Sequence, residues 1–135
     1  HRWDDWNLRV VNTRHSVQNL GLRLEAGSPN KIFCYSGDGM FTPTASKLYT
    51  NADLLVHEAY TIDGTVKNFR KETVTVGTKT HCSMQQLERL DDMARPKKMA
   101  LIHLNRGLRK GKDEILKKYK KRRWIMPDAG DVIEL

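Results

Sequence analysis

The sequence has little from which to build a disulfide framework. It has two cysteines, Cys34 and Cys82, far apart in 135 residues. They form no close pair, so a thiolate metal cage is excluded as well. A reducing, cytoplasmic setting is the expectation that follows. No run of eighteen apolar residues occurs, which excludes reading any segment as a membrane span. No signal-peptide pattern opens the chain, and no internal repeat or low-complexity stretch is found. The first residue is His1, not Met, and the chain is expected to be a piece of a longer protein. Its length fits one domain.

What is present begins with charge. The net charge is +8 at pH 7. Residues 106–123, "RGLRKGKDEILKKYKKRR", carry ten basic and two acidic residues and account for all of it; the other 14 bases and 14 acids cancel. The basicity is therefore local. Such a stripe attracts phosphates. The same segment also reads as a solvated amphipathic helix with Leu108, Ile115, Leu116 and Tyr119 as its inner side.

Hydrophobic patterning alternates strands and helices. "LRVVNT" (8–13) reads as a strand, and "LGLRLE" (20–25) alternates as a half-buried strand does. "AGSPN" (26–30) is a turn, so 20–35 reads as a hairpin closed by "KIFCY" (31–35). A short helical turn is expected within 42–52 and an apolar strand at 53–59. Residues 60–80 read as a polar loop with a short strand at 73–76. "SMQQLERLDDMA" (83–94) places Met84, Leu87, Leu90 and Met93 at helical spacing, with Ser83 or Thr80 as cap and Pro96 as stop. "KMALIHLN" (98–105) is another buried strand. The basic helix follows, and the apolar segments "WIM" (124–126) and "DVIEL" (131–135) flank the turn "PDAG". This order predicts a layered α/β sheet.

The polar residues of chemical interest recur where strands end. His15 follows "VVNTR". Asp38 follows "IFCYSG", between Gly37 and Gly39, which permit a tight turn that aims the carboxylate outward. His57 and Glu58 end "DLLV", His103 closes "MALI", and His81 precedes the helix at 83. In layered α/β folds ligands bind at strand ends. Each residue alone has a plainer reading: a histidine at a strand end is commonly a hydrogen-bonded structural group, and an Asp after Gly is commonly a turn former. As a set, three imidazoles and two carboxylates on separate strand ends form an N and O assortment suited to zinc, manganese or iron.

Taken together, "HSVQNLGLRLE", "YSGDG", "ADLLVHEAYT", "THCSMQQ" and "ALIHLNR" resemble the metallo-β-lactamase-fold hydrolases. Within them they look most like the ribonuclease Z group and its phosphodiesterase relatives. "ADLLVHEAYT" is close to that group's His-Glu-Ala-Thr motif, and "THCSMQQ" resembles its His-Ser-Thr motif. The resemblance runs from about residue 10 to the C-terminus. It implies two divalent metal ions, with zinc first and manganese or iron as alternatives. His15 would bind one ion, Asp38 would bridge the two and His103 would bind the second. His81 would be a catalytic imidazole, oriented by Glu58. His57 matches the motif but receives no ligand role.

Two features depart from the family pattern. Its first metal motif, His-x-His-x-Asp-His, is missing, since no two histidines here are separated by one residue. The chain, residues 1–135, therefore resembles the C-terminal half of the αββα sandwich: a mixed sheet with helices on one face. The spacing from His15 to Asp38 also leaves no room for the long arm with which ribonuclease Z grips transfer RNA.

The implied function is part of a metal-dependent hydrolase, a phosphodiesterase or ribonuclease Z-like nuclease using a metal-activated water. The fragment alone is expected to be inactive. One alternative is hydrolysis of lactones or thioesters on the same fold. Another is a non-catalytic nucleic-acid-binding module built on 106–123. Half a sandwich would leave a sheet face bare. About 600 Å² of apolar surface is worth about 15 kcal/mol, comparable to the whole net stability of a domain. The expected partners are thus a missing N-terminal half, a second chain or a second copy, besides a phosphodiester or nucleic-acid substrate. No membrane partner is expected.

Overall fold

The computed structural model describes residues 6–67, 70–75 and 80–135. β1 (Asn7–Asn12), β2 (Leu20–Ala26) and β3 (Lys31–Tyr35) precede α1 (Pro43–Leu48). β4 (Leu54–Glu58) follows, then β5 (Thr65–Lys67), β6 (Thr73–Thr75), α2 (Met84–Ala94), β7 (Met99–Ile102), α3 (Arg106–Lys110), α4 (Lys112–Lys118) and β8 (Trp124–Ile125). Six strands form one sheet in the order β1-β2-β3-β4-β7-β8. The turn at 26–30 folds β2 onto β3 antiparallel, with Leu24 opposite Phe33, and β1 extends the meander. From β3 onward the strands are parallel, because each connection passes through helix, as parallel crossovers require.

The register separates two faces. Cys34, Leu55, Met99 and Trp124 stand in one cross-strand row. They are buried against α1 and α2 through Ala45, Tyr49, Met84, Leu87 and Leu90. The helix ends are fastened locally. Thr42 caps α1, its Oγ1 accepting from the Ala45 N–H at 3.1 Å. Ser83 caps α2 in a reciprocal box with Gln86, which satisfies two helix donors at once.

The opposite face is also apolar. One row runs Val10, Leu22, Tyr35, Val56, Ala100, Ile125 across all six strands, and a second runs Leu8, Leu24, Phe33, Leu54. None of these residues belongs to the core cluster. Leu8 is 60% exposed and Val10 58%. The helices thus lie against one face, as the family resemblance implied, and the second face is uncovered toward the β1 side.

Several local expectations are corrected. β1, expected over 8–13, runs Asn7–Asn12 as an exposed edge strand, its Leu8 and Val10 pointing to the uncovered face. The basic helix is not continuous over 106–123: Gly111 ends α3 and begins α4, consistent with the poor helix propensity of glycine. Helix stops at Lys118, and residues 119–121 form a turn. Of its expected inner side, Leu108 and Tyr119 are buried while Ile115 and Leu116 are half-buried. In α2, Ala94 is buried and Met93 is 54% exposed, since a strict spacing of three drifts around a helix of 3.6 residues per turn. Arg95, in the left-handed region at φ 50, ends α2 before Pro96. Residues 60–80 hold the antiparallel hairpin β5–β6; Val76, the end of the expected strand at 73–76, lies outside the described residues. Residues 131–135 form no strand, and Val132 is exposed. No helix among the described residues is long and apolar enough to cross a membrane.

Candidate functional site

Parallel pairing of β3, β4 and β7 places their C-terminal ends along one border of the sheet. Asp38 comes three residues after β3, Glu58 is the last residue of β4, and His103 is the first after β7. Alternation along β4 then divides its two polar residues. His57 shares the side of Leu55 and is buried in the core, while Glu58 turns the other way. The carboxylates and imidazoles of Asp38, Glu58, His81 and His103 converge, with one ligand atom of each within 4.8 Å of the others.

The Asp38 turn depends on its glycines. Gly37 has φ 66, and a Cβ there would come within 2.6 Å of the Asn19 side chain. A Cβ on Gly39 would meet Asn19 at 2.6 Å and the Arg14 carbonyl at 2.9 Å. The absence of side chains lets the segment after β1 close over the turn. Asn19 Oδ1 accepts from the Asp38 N–H at 3.2 Å, and Asn19 Nδ2 donates to Thr13 Oγ1. The Asp38 carboxylate is left half exposed, facing the imidazoles.

The backbone that follows His81 is tied to the segment after β4. The Tyr60 N–H donates to the Cys82 carbonyl at 2.9 Å and the Met84 N–H to Thr61 at 2.8 Å. The Glu58 carboxylate, fully buried, engages three groups. Its Oε1 accepts from the Cys82 N–H at 2.8 Å. Its Oε2 lies 2.8 Å from His81 Nδ1 and 3.3 Å from His103 Nδ1. Burial pushes the Glu58 carboxyl above its ordinary range, against the opposing pull of the His81 and Cys82 hydrogen bonds. His103 Nδ1 is 2.7 Å from Asp38 Oδ1. Its backbone sits at φ 52, a strained setting for a residue with a Cβ and one that concentrates at functional sites.

The structure therefore brings Asp38, Glu58, His81 and His103 into one cluster. His15 stands at its border, with Nε2 3.8 Å from Asp38 Oδ2 and its ring centroid 5.1 Å from that of His81. His57 stays outside. Its Nδ1 lies 2.9 Å from the Glu58 carbonyl, its ring packs edge-on against Phe41 and Tyr49, and burial pushes its pKa down to about 4. Two residues of the site went unread in the sequence. The Tyr60 ring stacks on His81 at 4.7 Å; its only signal was its place two residues after Glu58. Asn19 carried no signal, because its role exists only once two loops meet.

The donor set of two imidazoles and two carboxylates fits a divalent ion of borderline softness. The basic segment is partly neutralised: Arg122 Nη1 bridges Asp91 at 2.8 Å and Asp92 at 2.5 Å, Lys112 pairs with Asp128, and Lys117 with Glu114.

No protein-family model and no curated protein matches this chain. Solved structures do. The short form of human tRNase Z superposes with a TM-score of 0.70 at 17% identity, covering 99% of this chain and 45% of that one. The metallo-β-lactamase fold protein YhfI from Bacillus subtilis gives 0.74 at 19%, covering 99% and 52%. A long form RNase Z from yeast gives 0.57 at 18%, covering 73% and 13%. The likeness is one of fold, and it is the metallo-β-lactamase fold that the sequence motifs resembled. The chain spans about half the length of the first two of these structures.

Proposed function

We propose that this chain is one half of a metal-dependent hydrolase acting on phosphodiesters, in the manner of a ribonuclease Z-like nuclease. The observation that carries the reading is the convergence of Asp38, Glu58, His81 and His103 at the ends of parallel strands. Asp38, His103 and the bordering His15 would hold divalent ions, zinc or manganese by donor type. Such ions supply Lewis-acid activation of a water for attack on phosphorus.

The chain's own groups have distinct tasks. Both oxygens of Glu58 are engaged by Cys82, His81 and His103, so Glu58 acts through its neighbours and orients His81. With Nδ1 turned to Glu58, His81 has Nε2 left to give a proton to the leaving oxygen, and the buried carboxylate steadies the imidazolium. Asp38 offsets positive charge at the centre of the site. The ten basic residues of 106–123 begin three residues after His103, and they favour a polyanionic substrate over a lactone or thioester.

His15, Asp38 and His103 alone cannot close two metal sites. The remaining ligands would come from an N-terminal half seated on the uncovered sheet face, with self-pairing as the outcome in its absence. The buried, unpaired thiols of Cys34 and Cys82 sit well with a reducing compartment such as the cytoplasm.

The test is turnover of a chromogenic phosphodiester with added zinc or manganese. The isolated chain is expected to give essentially none. Mixing it with a separately expressed half bearing His-x-His-x-Asp-His is expected to restore turnover, and His81→Ala to abolish it. Vigorous turnover by the isolated chain would sink the half-site reading; an inert mixture would sink the hydrolase.

A further inference from the structure

A groove of about 570 Å³ opens beside the cluster, between the β5–β6 hairpin and α3. Its walls include the Tyr60 ring, Ile62 and Val66, with Asp63, Lys67 and Arg106 as its charged residues and Asn105 also lining it. The Asp63 carboxylate accepts from the Thr65 N–H and hydroxyl at 3.0 and 2.7 Å, which leaves the two cations to set the charge offered to a ligand. Two contacts join it to the site. Tyr60 stacks on His81 and lies 5.4 Å from the His103 ring, and the Asn105 N–H donates to the Tyr60 carbonyl at 3.4 Å. Ile62 is 44% exposed. Arg106 is exposed and forms no ion pair or hydrogen bond through its guanidinium among the described residues.

An aromatic wall that touches the cluster, two aliphatic side chains and an unpaired guanidinium in the same groove match one chemistry: a flat, weakly polar ring tethered to a phosphate. Stacking accepts any base, because every base presents a π-face. Aliphatic side chains complete the slot, and arginine suits the flanking phosphate. We propose that this groove holds the nucleobase of the nucleotide adjoining the scissile phosphate, with Arg106 on the next phosphate along. The inference rests on the phosphodiesterase reading of the cluster and adds a substrate class to it, single-stranded nucleotide ends. The exposed lysines of 117–121 are then dispensable for the bound base.

The test is calorimetric binding of the dinucleotide UpU and of its analogue lacking both bases, to the whole chain, without added metal. UpU is expected to bind about tenfold more tightly, the worth of one stacked base. Val66→Asp, which puts a carboxylate into the groove, is expected to remove that preference. Arg106→Glu, at an exposed position that cannot unfold the chain, is expected to weaken UpU binding by a similar factor, while Lys120→Glu leaves it unchanged. Equal binding of UpU and its baseless analogue, or an unaltered affinity in both groove variants, overturns the proposal. Manganese binding, followed separately by its paramagnetic resonance signal, reports on the cluster. Manganese bound without base preference removes the groove and keeps the metal site. Base preference without manganese binding does the reverse.

Discussion

Glu58 and His81 are joined by a 2.8 Å contact between Oε2 and Nδ1, made by a carboxylate that has no exposed surface. The other oxygen of Glu58 carries the Cys82 N–H, so one side chain fixes both the imidazole and the backbone beside it. Glu58→Ala strands that buried donor and is expected to lower the unfolding free energy by about 2 kcal/mol. Urea titration measures this. In a reconstituted enzyme the same change is expected to cut kcat about 100-fold or more. An unaltered urea midpoint would mean that the contact is not formed in solution.

The cluster should bind a divalent ion before any substrate is present. A ligand held only by the folded state stabilises it by about 2.7 kcal/mol at 100 times its Kd. Thermal scans with zinc or manganese are therefore expected to rise by about 10 °C over scans in chelator. Asp38→Asn, at a half-exposed carboxylate, is expected to remove the rise without lowering the metal-free Tm. A rise that persists in Asp38→Asn would place the ion elsewhere.

His57 makes stability depend on acid. Its ordinary pKa of 6.5 falls to about 4 in the fold, because burial opposes the charged ring. The unfolded chain therefore takes up this proton first. The contribution is complete above pH 6.5 and is lost as pH falls toward 4, amounting to about 3 kcal/mol at most. Urea midpoints measured between pH 7 and pH 4 should fall in the wild type. His57→Asn should flatten that part of the profile. A wild-type midpoint constant across the window contradicts a neutral, buried ring.

The uncovered sheet face should make the isolated chain associate. Leu8, Val10 and Leu20 are its most exposed apolar side chains, on an edge strand and its neighbour where pairing with another chain is open. Sedimentation at micromolar concentration is expected to find dimers or larger species. Leu8→Lys with Val10→Lys is expected to shift them toward monomer with little loss of stability, since neither side chain is in the core. A wild-type monomer in dilute solution counts against a face built for a partner.

Much of the architecture could be read from the chain because it is encoded locally. The alternation in 20–25, the turn at 26–30 and the helix cap act between residues close in sequence; the structure has the hairpin where periodicity placed it and takes Ser83, rather than Thr80, as the cap. The basic segment was misread because composition records charge but not the Gly111 break or the pairing of Arg122 with Asp91 and Asp92.

The sequence alone determined which residues could do chemistry: Asp38 between its glycines, and His81, Glu58 and His103 at the ends of elements. Only the tertiary structure decided that they meet. Parallel registry of β3, β4 and β7 lines up their ends, and strand alternation sends Glu58 into the cluster and His57 into the core. It also set Tyr60 against His81 and Asn19 under Asp38. The reason is physical. Patterns of hydrophobicity and turn chemistry are short-range, whereas a ligand cluster is a sum of distances between groups up to 65 residues apart (Asp38 to His103), and those distances exist only after the sheet has paired.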